Sequence, residues 1–166
     1  PEHLAVPLEY LQRLGVPFEV NGGDITVKPW QTLKAQPLMT HEYPAFPTDI
    51  QPPFTVLLTQ ATGTSMVHET IFEGRLYFTD KLNKMGAEVI LCDPHRAIVQ
   101  GPTPLRGTTL ESPDIRAGLA LVIAALAATG KSKIENIYQI DRGYEAIEER
   151  LRALGADIRR VSQSGT

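Results

Sequence analysis

Three stretches of the chain share one hydrophobic pattern, with large residues at i, i+4 and i+7 followed at once by glycine. They are Pro7, Leu11, Leu14 and Gly15; Phe78, Leu82, Met85 and Gly86; and Ile147, Leu151, Leu154 and Gly155. That spacing lines one face of a helix, and a glycine past the last turn takes the left-handed backbone that closes it. Pro7 is tolerable only in a first turn. After each glycine the pattern turns strand-like, over residues 16–20, 87–91 and 156–161. Hairpins are predicted over residues 18–27, turning at Asn21-Gly22-Gly23-Asp24, and over residues 88–99, turning near Asp93-Pro94.

The match extends upstream. Thr48-Asp49-Ile50-Gln51 answers Pro113-Asp114-Ile115-Arg116, each ahead of an apolar helical run ending near Gly63 or Gly130. Residues 65–72 and 133–138 then read as strands, and each leads into an arginine-bearing segment, Glu73-Gly74-Arg75 or Asp141-Arg142-Gly143. The unit is strand, helix, strand, helix and hairpin, repeating every 70 residues or so. One α/β domain over residues 1–166 is expected, with 1–40 the rear half of a unit, 41–104 the second unit and 105–166 the third. Beginning inside a unit, without an initiator Met, points to a fragment.

Composition narrows the function classes. At 166 residues, 42% hydrophobic and 21% charged, the chain can bury one core and does not read as disordered. A net charge of -3 supplies no basic field for nucleic acid or acidic lipid, so neither is expected as a partner. The longest apolar run, residues 117–128, is far short of the ~20 residues of a membrane span and reads as a buried helix. The N-terminal residues lack the features of a signal peptide, which makes a cytoplasmic location the expectation. Cys92 is the only cysteine, which excludes an intramolecular disulfide, and it is expected to be a small buried hydrophobe. His3, His41, His68 and His95 show no metal-ligand spacing, and no metal or cofactor is expected. Gly130-Lys131-Ser132 resembles the tail of a phosphate-binding loop but lacks its first glycine and follows a helix, so it reads as a turn.

What remains are the repeated helix starts. Asp49 and Asp114 read plainly as N-caps. Arg75 and Arg142 are harder to explain, since a cation near a helix N-terminus opposes the helix dipole by about 0.3–1 kcal/mol. Local pairing, of Arg75 with Glu73 and of Arg142 with Asp141 or Glu145, would offset that. The alternative is that arginines and free helix N–H groups face an anion together, with Arg116 as a third cation.

The ordered motifs Pro47-Thr48-Asp49-Ile50-Gln51, Glu69-Thr70-Ile71-Phe72-Glu73-Gly74-Arg75, Asp114-Ile115-Arg116-Ala117, Ile140-Asp141-Arg142-Gly143-Tyr144-Glu145 and Leu151-Arg152-Ala153-Leu154-Gly155-Ala156 resemble the C-terminal part of the UDP-N-acetylglucosamine 1-carboxyvinyltransferase family. The resemblance is weak through the first 40 residues and strong from Tyr43 onward. It implies an inside-out α/β barrel built from βαβαββ units, incomplete here. It also implies transfer of the enolpyruvyl group of phosphoenolpyruvate to the 3-hydroxyl of UDP-N-acetylglucosamine with release of phosphate, the first committed step of peptidoglycan synthesis. By motif, Asp49 matches the carboxylate that holds the sugar hydroxyl and is proposed to take its proton. Ile71 matches a backbone contact to the UDP-sugar, and Arg142 an arginine that binds phosphoenolpyruvate. Arg75, Asp114 and Arg116 match polar residues lining the cleft between two domains.

Departures accompany the match. Pro52-Pro53 follows Gln51 where small or polar residues are usual, and Pro113 stands where threonine is common. The family's mobile loop with its proton-donating cysteine, and its remaining phosphate contacts, belong to the other domain, and Cys92 lies in a predicted hairpin strand. The 166-residue chain alone is therefore expected to be inactive, to need that N-terminal domain as its partner, and to self-associate through exposed edges. Two alternatives stay open: a related transferase acting on shikimate 3-phosphate, and a non-catalytic module that binds a nucleotide sugar or a partner protein.

Overall fold

A computed structural model describes residues 2–161. Helix α1 (Ala5–Leu14) leads into the hairpin β1 (Phe18–Asn21) and β2 (Asp24–Val27), paired from Phe18↔Val27 to Asn21↔Asp24 around Gly22-Gly23. Next come β3 (Leu38–Met39), α2 (Gln51–Leu58), β4 (Gly63–His68), α3 (Thr79–Lys84), β5 (Glu88–Asp93) and β6 (Arg96–Gly101). They form one mixed sheet in the order β3-β4-β6-β5, with β3 parallel to β4 and the other pairs antiparallel. The chain ends with β7 (Thr109–Glu111), α4 (Ile115–Ala127), β8 (Lys133–Glu135), α5 (Tyr138–Asp141) and α6 (Ile147–Ala153), β7 and β8 pairing in parallel.

The repeat is visible in single backbone hydrogen bonds. Lys34 N donates to the Leu14 carbonyl and Thr62 N to that of Leu33; one unit later Arg106 N donates to Met85 and Thr129 N to Leu105. The stop glycines Gly15, Gly86 and Gly155 take φ of 93°, 100° and 95°, the left-handed conformation their positions predict. Helix α4 is apolar nearly all round because α2, α3 and α5 pack on it, burying Ala117, Ala120, Leu121 and Ala124 among Val56, Leu58, Leu82 and Met85.

Several expectations need correction. Because β3 pairs with β4, the second unit's first strand lies ahead of the expected boundary at residue 41. The strand expected over 65–72 stops at His68, and the one expected over 133–138 stops at Glu135, where Tyr138 instead opens α5. Residues 156–161 run as coil; a strand exists only with a partner, and among the described residues β8 pairs with β7 alone. Cys92 is exposed, because its side chain points to the solvent face of β5. The strands form open sheets, with no closed barrel among the described residues. No helix among them is long and apolar enough to cross a membrane.

Candidate active site

Asp49 lies in the 3-10 turn Thr48–Ile50, immediately ahead of α2, whose first turn accommodates Pro52. Helices α2 and α4 pack together, and that packing brings their starts within reach of each other. Arg116, in the first turn of α4, grips Asp49 with both arms of its fork: Nε donates to Oδ1 at 2.5 Å and Nη2 to Oδ2 at 3.1 Å. Arg75 Nη1 adds a third contact to Oδ1 at 3.3 Å, donates to Thr48 Oγ1 at 2.5 Å, and stacks its guanidinium 4.2 Å from the Phe72 ring centroid. Asp49, Arg75 and Arg116 thus meet, and the local pairing of Arg75 with Glu73 does not form.

The two aspartates differ in role. Asp114 caps α4, its Oδ1 accepting from Arg116 N at 2.8 Å and Ala117 N at 2.9 Å, so Pro113 has not cost the helix its cap. Asp49 caps nothing. Counted back from the equivalent bridge residues Thr62 and Thr129, the position of Asp49 is taken in the next unit by Arg116, not Asp114. Opposite charges at equivalent sites of adjacent units thus meet across the helix pair.

Arg142 stands apart from this pairing. It is exposed and follows α5 at its C-terminal end, where the helix dipole favours a cation, and its Nη1 donates to Gln139 Oε1 at 3.2 Å. Its expected local acid, Asp141, is held instead by Arg160 through two bonds of 2.7 and 2.8 Å. The turn after Arg142 reaches the start of α4, with Gly143 pressed so closely on Ile115 that a Cβ would come within 2.6 Å of Cγ2.

The electrostatics follow the contacts. The Arg116 hydrogen bond, helped by the charges of Arg116 and Arg75, holds the Asp49 carboxyl below its ordinary pKa against a partial desolvation. The same hydrogen bond to Asp49 raises Arg116. Tyr144 is raised mainly by burial, with the Arg116 charge lowering it and that of Asp49 raising it.

Ile71 is fixed by a neighbour at the head of its own motif. Glu69, fully buried, accepts from Thr40 Oγ1 at 3.1 Å, Ile71 N at 2.9 Å and Phe72 N at 3.2 Å through Oε1, and from Thr48 Oγ1 at 2.9 Å through Oε2. His95 Nδ1 donates to the Glu69 carbonyl at 2.7 Å. With its N–H committed to Glu69, Ile71 keeps a carbonyl that accepts no hydrogen bond among the described residues. Strand alternation could have found Glu69: Ser65 and Val67 of β4 are buried, and two positions on falls the glutamate.

Chemically, the cluster is a carboxylate steered by two guanidiniums at the mouth of two helices. Among the described residues Oδ1 accepts twice and Oδ2 once, and an ionised carboxylate has about four acceptor positions. One place at Oδ2 can take a ligand hydroxyl, and the side chain, 57% exposed, is reachable. No group of His, Cys, Asp and Glu among the described residues could hold a metal ion. A cavity of about 980 Å³ lies elsewhere, between α4, β8, α6 and residues 157–161.

Known proteins show the same arrangement of chain. Residues 3–151 match the family model described as EPSP synthase (3-phosphoshikimate 1-carboxyvinyltransferase). UDP-N-acetylglucosamine 1-carboxyvinyltransferase from Borrelia garinii is 44% identical over 97% of this chain and 40% of its own length. The protein of that name from Bradyrhizobium diazoefficiens is 48% identical over 98% of this chain and 39% of its own. Among solved structures, the enolpyruvyl transferase NikO from Streptomyces tendae superposes with a TM-score of 0.87 at 33% identity, over 94% of this chain and 36% of that one. The chain thus spans about two fifths of the curated relatives it matches. With the family match covering most of its length, the chain belongs to the EPSP synthase (3-phosphoshikimate 1-carboxyvinyltransferase) family.

Proposed function

We propose that this chain is part of an enolpyruvyl transferase that moves the carboxyvinyl group of phosphoenolpyruvate to the 3-hydroxyl of UDP-N-acetylglucosamine and releases phosphate. The sugar oxygen bonds to C2 of phosphoenolpyruvate, the C2–O bond to phosphate breaks, and the hydroxyl proton, taken up by Asp49, leaves on the released phosphate. Such a step opens peptidoglycan synthesis in the cytoplasm and so bears on cell shape and division. The other domain of the transferase, outside these residues, completes the site.

Asp49 carries the reading. Its remaining acceptor position at Oδ2 suits the sugar hydroxyl, while Arg116 and Arg75 fix its orientation. A carboxylate held below its ordinary pKa is a weak base, so proton removal accompanies attack on C2 and does not precede it. Arg142, exposed and with its side chain bonded only to Gln139 among the described residues, is available to the phosphoenolpyruvate anion. The Ile71 carbonyl meets the UDP-sugar, and Asp114 acts by holding the start of α4 and thereby Arg116.

Relatives named for UDP-N-acetylglucosamine, at 44 and 48% identity, favour this substrate over shikimate 3-phosphate. The test is phosphate release from phosphoenolpyruvate by the complete transferase chain. Release that needs UDP-N-acetylglucosamine supports the proposal. Release with shikimate 3-phosphate instead selects the related transferase, and none with either acceptor leaves the non-catalytic binding module.

A further inference from the structure

The buried Glu69 carboxylate touches neither open face of the site, yet it joins the two parts proposed to hold the UDP-sugar. Through Oε2 it receives the Thr48 hydroxyl, 2.9 Å away, and Thr48 Oγ1 in turn receives Arg75 Nη1. Through Oε1 it fixes the N–H groups of Ile71 and Phe72 at 2.9 and 3.2 Å. The turn that carries Asp49 and the loop that carries Ile71 are therefore tied to one side chain.

The internal repeat shows that this exceeds what the fold requires. Thr40 N donates to the His68 carbonyl, and one unit later Ser112 N donates to that of Glu135. The next residue is Glu69 in one unit and Asn136 in the other. Asn136 locks its unit with one bond, Nδ2 to the Ser112 carbonyl at 2.9 Å. A neutral amide thus suffices to close the strand ends. The carboxylate at 69 adds an acceptor for Thr48, and with it an orientation for Arg75.

We propose that Glu69 is a positioning residue for UDP-sugar recognition, acting through Thr48 on the Asp49–Arg75 pair and through backbone N–H groups on Ile71. This rests on the transferase reading above. In Glu69→Gln the amide oxygen can keep the Oε1 bonds while the amide nitrogen replaces Oε2, and that nitrogen donates where Oε2 accepted. Thr48 Oγ1 then receives a second donor in competition with Arg75, and its own proton must find a new acceptor. Either Arg75 or the Thr48 hydroxyl turns toward Asp49.

Two measurements on the complete transferase chain test this. In steady-state kinetics, Glu69→Gln is expected to raise the KM for UDP-N-acetylglucosamine about 10-fold, leaving that for phosphoenolpyruvate within about twofold. Thr48→Val should do the same, and the double variant should be no worse than the worse single one. Unchanged sugar KM, an equal rise in both KM values, or single effects that multiply would overturn the proposal. The second readout needs no turnover: a carboxyl NMR titration in which the Asp49 midpoint falls in Glu69→Gln, because Asp49 gains a donor. A midpoint that stays or rises overturns the positioning role even where the chain proves to use another substrate, whereas absent phosphate release in the wild type sinks only the transferase reading. If Glu69→Gln does not fold, Thr48→Val on the half-buried turn decides: an unchanged sugar KM, or, where no turnover exists, an Asp49 midpoint unmoved by losing the hydroxyl that orients Arg75, refutes the link.

Discussion

Asp114 permits a test that separates a cap from a ligand. Its Oδ1 accepts two backbone N–H groups, Arg116 at 2.8 Å and Ala117 at 2.9 Å, at the start of the longest helix. Asp114→Ala leaves those donors without a side-chain acceptor, and losing an N-cap costs about 1 kcal/mol, within a range of about 0.5–2. The site is solvent-exposed, so water partly replaces the carboxylate and the middle of that range applies. For a chain of this size the cost corresponds to a fall in Tm of about 2–4 °C. Asp114→Ser restores a short acceptor at the same position and should recover most of it. The assay is thermal unfolding of the 166-residue chain followed by circular dichroism, at matched concentrations. In the complete transferase, Asp114→Ser should also retain turnover, since the aspartate is proposed to act by holding Arg116. A Tm unchanged in Asp114→Ala, or a serine variant as destabilised as the alanine, would refute the cap. A stable serine variant without turnover would show that the carboxylate itself meets substrate.

Three further outcomes follow from the same geometry. Asp49 titrates below the ordinary range, so its pairing contributes stability above the unfolded-state pKa and loses it as pH falls through the folded one; Arg116→Ala should move the NMR midpoint up by more than Arg75→Ala, since it removes two of three contacts, and equal shifts would contradict this ranking. That exposed pair adds no more than about 1 kcal/mol to stability. Gly118→Ala puts a Cβ 2.4 Å from Ser112 Oγ and 2.6 Å from Ile140 Cγ1, and the overpacking, about 1–3 kcal/mol, should outweigh the roughly 1 kcal/mol that alanine's helix propensity returns; a more stable variant in urea unfolding would show the reverse. The hairpin β1–β2 leaves Val20 44% and Val27 51% exposed on one face, so sedimentation of the 166-residue chain should show mass rising with concentration, and a monomer throughout would count against it.

The fold was legible where physics is local. Helix ends at Gly15, Gly86 and Gly155 need a left-handed residue, and the hairpin at Gly22-Gly23 needs a tight turn, so sequence alone places both. Residues 156–161 have the same local pattern as 87–91 yet form no strand, because pairing depends on a neighbour that the pattern does not encode. Cys92 was expected inside from its residue type, but strand alternation puts it on the face of Glu88 and Ile90, opposite the buried Val89. At the site, Asp49, Arg75 and Arg116 could be gathered by repeat position, but their pairing could not. Long arginine side chains reach across the helix pair to a residue far away in sequence, and the bond prediction needs that distance. Arg142 was placed at a helix start because α5, 4 residues long, is too short to show a period and its first residue read as the end of a strand. Glu69 was missed because a charged residue is expected outside, and only its four donors make burial affordable.

The most direct measurement is a crystal structure of the complete transferase chain with UDP-N-acetylglucosamine bound. The sugar 3-hydroxyl is expected about 2.6–3.2 Å from Asp49 Oδ2, with Arg116 still gripping the carboxylate and the Ile71 carbonyl on the nucleotide sugar. A bound sugar whose 3-hydroxyl lies out of reach of Asp49, with the carboxylate still closed on both arginines, would contradict it.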